Sequence, residues 1–296
     1  MATISRVAAS RGGFRLGMKA SRILSTTLAY LLLFFFLGIS LLPMAWMLST
    51  ALQTPDQIRI SIPVQWIPRP VTLQNFVTGW NFQPWMLYFR NTLWFAGTSA
   101  LGLVLSSTVV GYAFGRMKFP GREALMFLNI SLMLLPGQVT MIPRFIMFAK
   151  MELVGTYWPV VLPFFFATAP YYVFLMRQFF RTIPMELSDA ARIDGCNEFG
   201  IFWRVVLPLT KPAIAVMVAG HVSWAWNALL ISLIYLKDND HRQLILALRS
   251  FIGEYGRVGW GPLMAMSLVV AMPVVVLYFI LQRYFAQAFV LSGLKG

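Results

Sequence analysis

At 296 residues, with 58% hydrophobic and only 11% charged side chains, the chain falls well short of the roughly 25% charged residues of soluble domains. That excludes an ordinary soluble globule. The formal net charge of +14 would suit nucleic acid, but no basic soluble domain exists to carry such a role, and a single cysteine, Cys196, excludes an internal disulfide.

Charges punctuate the chain at intervals the width of a bilayer. No Asp, Glu, Lys or Arg lies between Arg22 and Asp56, Arg90 and Arg116, Glu123 and Arg144, Glu152 and Arg177, Lys211 and Lys237, or Arg257 and Arg283. Each gap supplies the roughly 20 apolar residues a spanning helix needs. The pattern predicts an all-α membrane protein with six spans near 23–48, 91–115, 124–146, 153–176, 212–236 and 258–282. A basic segment, 1–22, precedes the membrane domain of 23–286, and a short tail, 287–296, follows it.

Taken in order, the stretch from Ile23 is too long for a signal-peptide core and is expected to stay attached as the first span. The loop 49–90 is rich in prolines and tryptophans. Trp85, Trp158 and Trp260 sit near span ends, as interfacial anchors do. The third span is interrupted by Pro136 and Pro143, with Gly137-Gln138 between them. Proline frees backbone groups that must be satisfied elsewhere, so this span is expected inside the bundle, away from lipid.

With six spans both ends share a side. Fifteen of the 24 basic residues fall on that side and nine on the other, which puts both termini in the cytoplasm by the positive-inside rule.

The loop 177–211 holds more than a connector. Pro184 suits a first helical position, residues 185–193 continue with helix formers, and Gly195 stands where helices stop in a left-handed conformation. A second segment, 198–206, carries Phe199, Phe202, Trp203 and Val206 at spacings that put them on one helical face. Leu207-Pro208 closes it. Two readings fit: a docking element for a cytoplasmic partner, or an amphipathic linker on the membrane surface.

Span five carries Gly220, His221, Ser223, Trp224, Trp226 and Asn227 at mid-depth. At 100° per residue all but Trp226 share an arc of about 160°, and Trp226 flanks it. Polar groups at that depth face a bundle interior or a wet cavity, and aromatic faces with amides and hydroxyls suit a sugar ring. Helix–helix packing through Ser223 and Asn227 accounts for them equally. Gln138, in the broken span, is a second lining candidate. No span holds an acidic partner for His221, and His241 is the only other histidine, so neither a proton relay nor a metal site is expected. There is no Walker-type phosphate loop and no catalytic cluster, so the chain is expected not to be an enzyme.

Asp189-Ala190-Ala191, then Gly195, then nine residues to Val205 with Leu207-Pro208 following, resembles the EAA loop of ABC-importer permeases. Over nearly its whole length the chain resembles the MalG-like permease subunits of carbohydrate importers. Tyr112-Ala113-Phe114-Gly115-Arg116, Pro136-Gly137-Gln138, Ile193-Asp194-Gly195, Trp226-Asn227 and Gly293-Leu294-Lys295-Gly296 carry that likeness. The resemblance implies a type I importer permease in the bacterial inner membrane, half of a heterodimeric pore for a sugar or oligosaccharide. Glycerol-phosphate-type solutes, polyols and acidic oligosaccharides are the alternatives.

It further implies a coupling helix within 181–210, with Glu186, Asp189, Ala190, Ala191, Asp194, Gly195, Leu207 and Pro208 facing a separate ATPase. The tail residues Gly293, Lys295 and Gly296 would touch that ATPase too. The implied partners are a second homologous permease, two ATP-binding subunits, an extracytoplasmic solute-binding protein and membrane lipid, with no nucleic acid. ATP and Mg would sit on the partner and no cofactor on this chain. The chain departs from the family pattern at Asp189, where Glu is usual, at Cys196, where Ala is common, and at Ala228-Leu229-Leu230-Ile231 after Trp226-Asn227. An ion-coupled secondary transporter, the rival class, predicts buried acidic or basic residues within the spans, which this sequence lacks, and leaves the Asp189–Pro208 loop unexplained.

Overall fold

The computed structural model describes residues 18–60, 65–236, 238–252 and 259–293. They are built from helices: α1 (Met18–Ala51), α2 (Trp85–Arg116), α3 (Arg122–Leu132), α4 (Gly137–Lys150), α5 (Pro170–Thr182), α6 (Glu186–Ile193), α7 (Lys211–Trp226), α8 (Leu229–Tyr235) and α9 (Trp260–Gly293), with shorter turns between. Among the described residues, four stretches are long and apolar enough to cross a membrane: Arg22–Ala51, Trp85–Arg116, Trp158–Thr182 and Trp260–Tyr284. Two further pairs of helices pass the same test only when each bent pair is taken together.

The first bent pair is α3 and α4, which meet at 95°. The break falls at Pro136, the residue preceding α4, with φ −57° and ψ 130°. Pro143 remains inside α4, so only one of the two prolines breaks the span. This region was expected to be shielded, yet 132–140 is exposed in the single chain, Leu134 by 82%. Its apolar side chains find no cover within this chain.

The second bent pair joins Glu198–Leu209 to α7, and the expected fifth span is itself two pieces, α7 and α8. Asn227 explains the stop: its side-chain Nδ2 donates to the Ser223 carbonyl at 2.8 Å, the acceptor an α-helix would reserve for the Asn227 backbone N–H. That N–H turns instead to Trp224 O at 3.1 Å. Asparagine competes with the helical ladder in this way.

The centre of the fold is the pairing of α2 with α5. Gly111 and Gly115, four residues apart on α2, let the backbones approach. A Cβ at Gly111 would lie 2.6 Å from Met176 Cβ, and one at Gly115 would lie 3.0 Å from Phe180 Cβ. Close packing of this kind replaces the hydrophobic drive that helices lack inside lipid. Leu103, Tyr112, Met176, Phe180, Ile201, Phe202 and Met217 close one core around this pairing, so the loop between α5 and α7 is packed onto the bundle.

Two tryptophans sit where anchors were expected: Trp158 and Trp260 are exposed by 57% and 51%. Trp85 is not an anchor. It is 1% exposed, donates its indole N–H to Gly79 O at 2.8 Å and stacks on Phe251. A short helix, Gln74–Phe82, packs against α9, where a Cβ at Gly79 would meet Met266, and supplies the Gly79 carbonyl.

Candidate functional site

The loop 177–211 is an ordered element clamped to the bundle. Helix α6 ends as its sequence dictates. Gly195 adopts φ +83°, its N–H bonds Arg192 O at 3.0 Å, and the Cys196 N–H bonds Ala191 O at 2.9 Å. Those two bonds are a Schellman stop. The second segment bends from α7 by 73°, between Pro208 and Pro212, where Thr210 Oγ1 bonds Leu207 O at 2.7 Å.

Helix α6 has two faces. Ser188 and Ala191 are buried, whereas Glu186, Leu187, Asp189, Ala190, Ile193 and Asp194 are exposed, Ile193 by 87%. The alanine pair is therefore divided, Ala191 packing inward and Ala190 presented outward. Leu207 is half-buried and Pro208 exposed at the far end of the loop.

The aromatic face expected on the second segment is also divided. Phe202 and Val206 are buried, while Phe199 and Trp203 are exposed and stack at 6.3 Å. The reason is local winding: Ile201–Val206 is a π-helical turn. With i→i+5 bonding, residues four apart stay on one side, Phe199 with Trp203 and Phe202 with Val206, while residues three apart part company, so the four no longer share one narrow face.

Two polar devices fix the loop to α2. Arg116, only 7% exposed, donates to the carbonyls of Ile183 and Pro184 and to Ser188 Oγ, the last at 2.6 Å. The sequence offered Arg116 as a topology charge and as the end of a family-like segment, not as a clamp. Its position as the final residue of α2, beside the close Gly111–Gly115 contact, was the available signal. The second device is a chain of contacts: Asp189 to Arg192 at 2.7 Å, Arg192 to Glu198 at 2.7 Å, and the Tyr112 hydroxyl to Glu198 Oε2 at 3.1 Å. The hydrogen bond from Arg192 holds the Glu198 carboxyl below the usual carboxylate range, and the same bond raises the Arg192 guanidinium above its ordinary value. Both ion-pair partners are substantially exposed, so the chain orients more than it stabilises.

A second site lies where α4, α7 and α8 meet. Gln138, Arg144, Trp224 and Asn227 line an open cavity of about 650 Å³, together with the aliphatic side of α8. Of the seven span-five and broken-span residues singled out, it gathers Gln138, Trp224 and Asn227. The others are not among its lining residues. His221 is 2% exposed, lies 2.8 Å from Ser99 Oγ on α2 and contacts the Phe164 ring. Trp226 donates its indole N–H to Val270 O on α9 at 2.9 Å. Ser223, half-buried, supplies only its carbonyl, to Asn227. Arg144 was missed as a lining residue because its charge was read as a loop charge, although it stands less than two turns beyond Gln138. Of the proposed tail contacts, Gly293 ends α9, while Lys295 and Gly296 lie outside the described residues.

The pattern of the family described as binding-protein-dependent transport system inner membrane component matches residues 107–290, spanning both the loop and the cavity. The chain belongs to this family. The arabinooligosaccharides transport system permease protein AraQ of Halalkalibacterium halodurans is 35% identical over 244 residues, covering 81% of this chain and 86% of AraQ. Its Bacillus subtilis counterpart is 31% identical over 272 residues, covering 88% and 94%. A chain from the crystal structure of a bacterial ABC transporter involved in the import of the acidic polysaccharide alginate superposes with a TM-score of 0.77 at 21% identity, covering 92% of this chain and 99% of that one. That likeness shows a shared fold. This family member is thus an all-helical ABC-importer permease subunit of the inner membrane, and ATP hydrolysis and solute capture belong to separate partner proteins.

Proposed function

We propose that this permease forms half of the pore for a saccharide, paired with a second homologous permease and driven by two ABC ATPase subunits that hold ATP and Mg. Both termini lie in the cytoplasm on this reading, supported by the excess of basic residues on that side. The observation that carries the coupling part is the loop's construction. Ile193, Leu187, Phe199 and Trp203 are exposed apolar side chains on an element that Arg116 ties rigidly to α2. Such a surface suits a partner protein, and the rigid tie lets movement of that partner shift α2, α5 and α7. Contact between the C-terminal tail and the ATPase rests on the family resemblance alone.

The exposed apolar run of 132–140 and the open side of the cavity support a second permease as cover. A saccharide suits the cavity because Trp224 offers a ring face, while Gln138 and Asn227 offer amide donors and acceptors. The relatives named for arabinooligosaccharides support the same class. The test is ATP hydrolysis by the reconstituted complex with its binding protein across a saccharide panel. Stimulation by a saccharide is the expected outcome. Failure of the chain to co-purify with any ATPase would sink the proposal.

A further inference from the structure

The cavity beside α7 has a property that a general saccharide path does not require. It adjoins a second cavity of about 830 Å³, the outer one by its lining from Arg242 to Ser250 in the expected outer loop, and the two share Met141, Leu233 and Ile234 as lining. Arg144 lines the inner cavity, and Arg242 and Arg249 line the outer one. No Asp or Glu is among the lining residues of either. Among the described residues, none of the three arginines has a carboxylate within ion-pair distance. The Tyr235 hydroxyl, in the inner lining, also has no hydrogen-bond partner.

We propose that the solute carried here is an anionic saccharide, one bearing carboxylates such as a uronic-acid oligomer. The inference rests on the importer reading given above. Arg144 and Arg242 are half-buried and Arg249 is exposed, so each can present its guanidinium to a solute, and its planar fork matches a carboxylate with two parallel bonds. One sign of charge along a low-dielectric passage also concentrates solutes of the opposite sign. Arg242 and Arg249 meet the solute at the outer cavity and Arg144 holds a carboxylate deeper. There Trp224 covers a ring face and Gln138 and Asn227 take hydroxyls. A neutral sugar offers these guanidinium groups no charge-assisted bond.

The experiment uses the complete transporter with its binding protein in proteoliposomes. The probes are trigalacturonate and the same trimer with its carboxyls reduced to alcohols, so that length and linkage stay fixed. The expected result is uptake and stimulated ATP hydrolysis with the acidic trimer, at a KM at least about tenfold below that of the reduced one. Arg144→Gln should raise the acidic KM by about tenfold or more, the worth of a charge-assisted hydrogen bond, and should narrow the gap between the trimers. Arg144→Lys, which keeps the charge, should recover part of the loss and show that the site still folds. Equal or better use of the reduced trimer overturns the proposal, as does an acidic KM that Arg144→Gln leaves unchanged. Uptake of some neutral saccharide while both trimers fail overturns it too, with the importer reading intact. No ATP-dependent uptake of any saccharide, with no co-purifying ATPase, removes the importer reading and the proposal together.

Discussion

The guanidinium of Arg116, at the end of α2, donates to the Ser188 hydroxyl of α6 at 2.6 Å. Through the same group α2 also holds the carbonyls of Ile183 and Pro184, so the loop helix cannot move without moving α2. Burial of a charge is tolerated here because each N–H that enters the bundle meets an acceptor.

Arg116→Ala should therefore leave several buried acceptors without a donor, at a cost of about 1–3 kcal/mol for each fully buried one. The expected outcome is a lower Tm for the assembled complex and several-fold less transport per ATP hydrolysed. Arg116→Lys should recover only part, since an ammonium cannot serve the same fork. Normal coupling in the alanine variant would show that the clamp is not part of the lever.

Gly195 separates conformation from crowding. Its φ is +83°, yet a Cβ built there would meet nothing within 4 Å. Substitution is therefore penalised by backbone strain alone, roughly 1–2 kcal/mol for a side chain forced left-handed. Gly195→Val should reduce saccharide-stimulated ATP hydrolysis, whereas Gly195→Asn, which tolerates that conformation, should stay near the parent. Equal loss in both would point to contact with the partner surface instead.

Trp224 and Asn227 line the cavity and His221 does not, so their variants should divide cleanly. Trp224→Ala and Asn227→Ala should raise the transport KM about tenfold, near the worth of one good polar or stacking contact. His221→Ala removes the bond to Ser99 Oγ and a ring packed on Phe164. It should lower Tm while leaving KM close to the parent. Uptake kinetics paired with thermal unfolding of the purified complex reads both effects.

Gly111 tests the α2–α5 approach. A Cβ there would come within 2.6 Å of Met176 Cβ and 3.2 Å of the Arg177 backbone nitrogen, and backbone atoms cannot step aside. Gly111→Val should abolish assembly of the complex, read as loss of the permease from the co-purified transporter. Gly97, whose Cβ would meet nothing within 4 Å, serves as control: Gly97→Ala should assemble normally.

The membrane class, the helix stop at Gly195 and the divide between loop and span were legible in the sequence. Each depends on local properties: runs of apolar residues, a glycine free to turn left-handed, and prolines that lack an N–H. The break at Pro136 was legible for the same reason. What the sequence left open was direction. His221 and Asn227 lie six residues apart on the same stretch, yet one is buried against Ser99 and the other opens to the cavity. Only the neighbours contributed by α2, α4 and α9 decide that. Arg116 and Arg144 likewise had no assigned contact until tertiary packing put carbonyls around one and an open cavity beside the other. A residue's type and spacing set what it can do, but the cost of burying a polar group depends on its partners, and distant parts of the chain supply those.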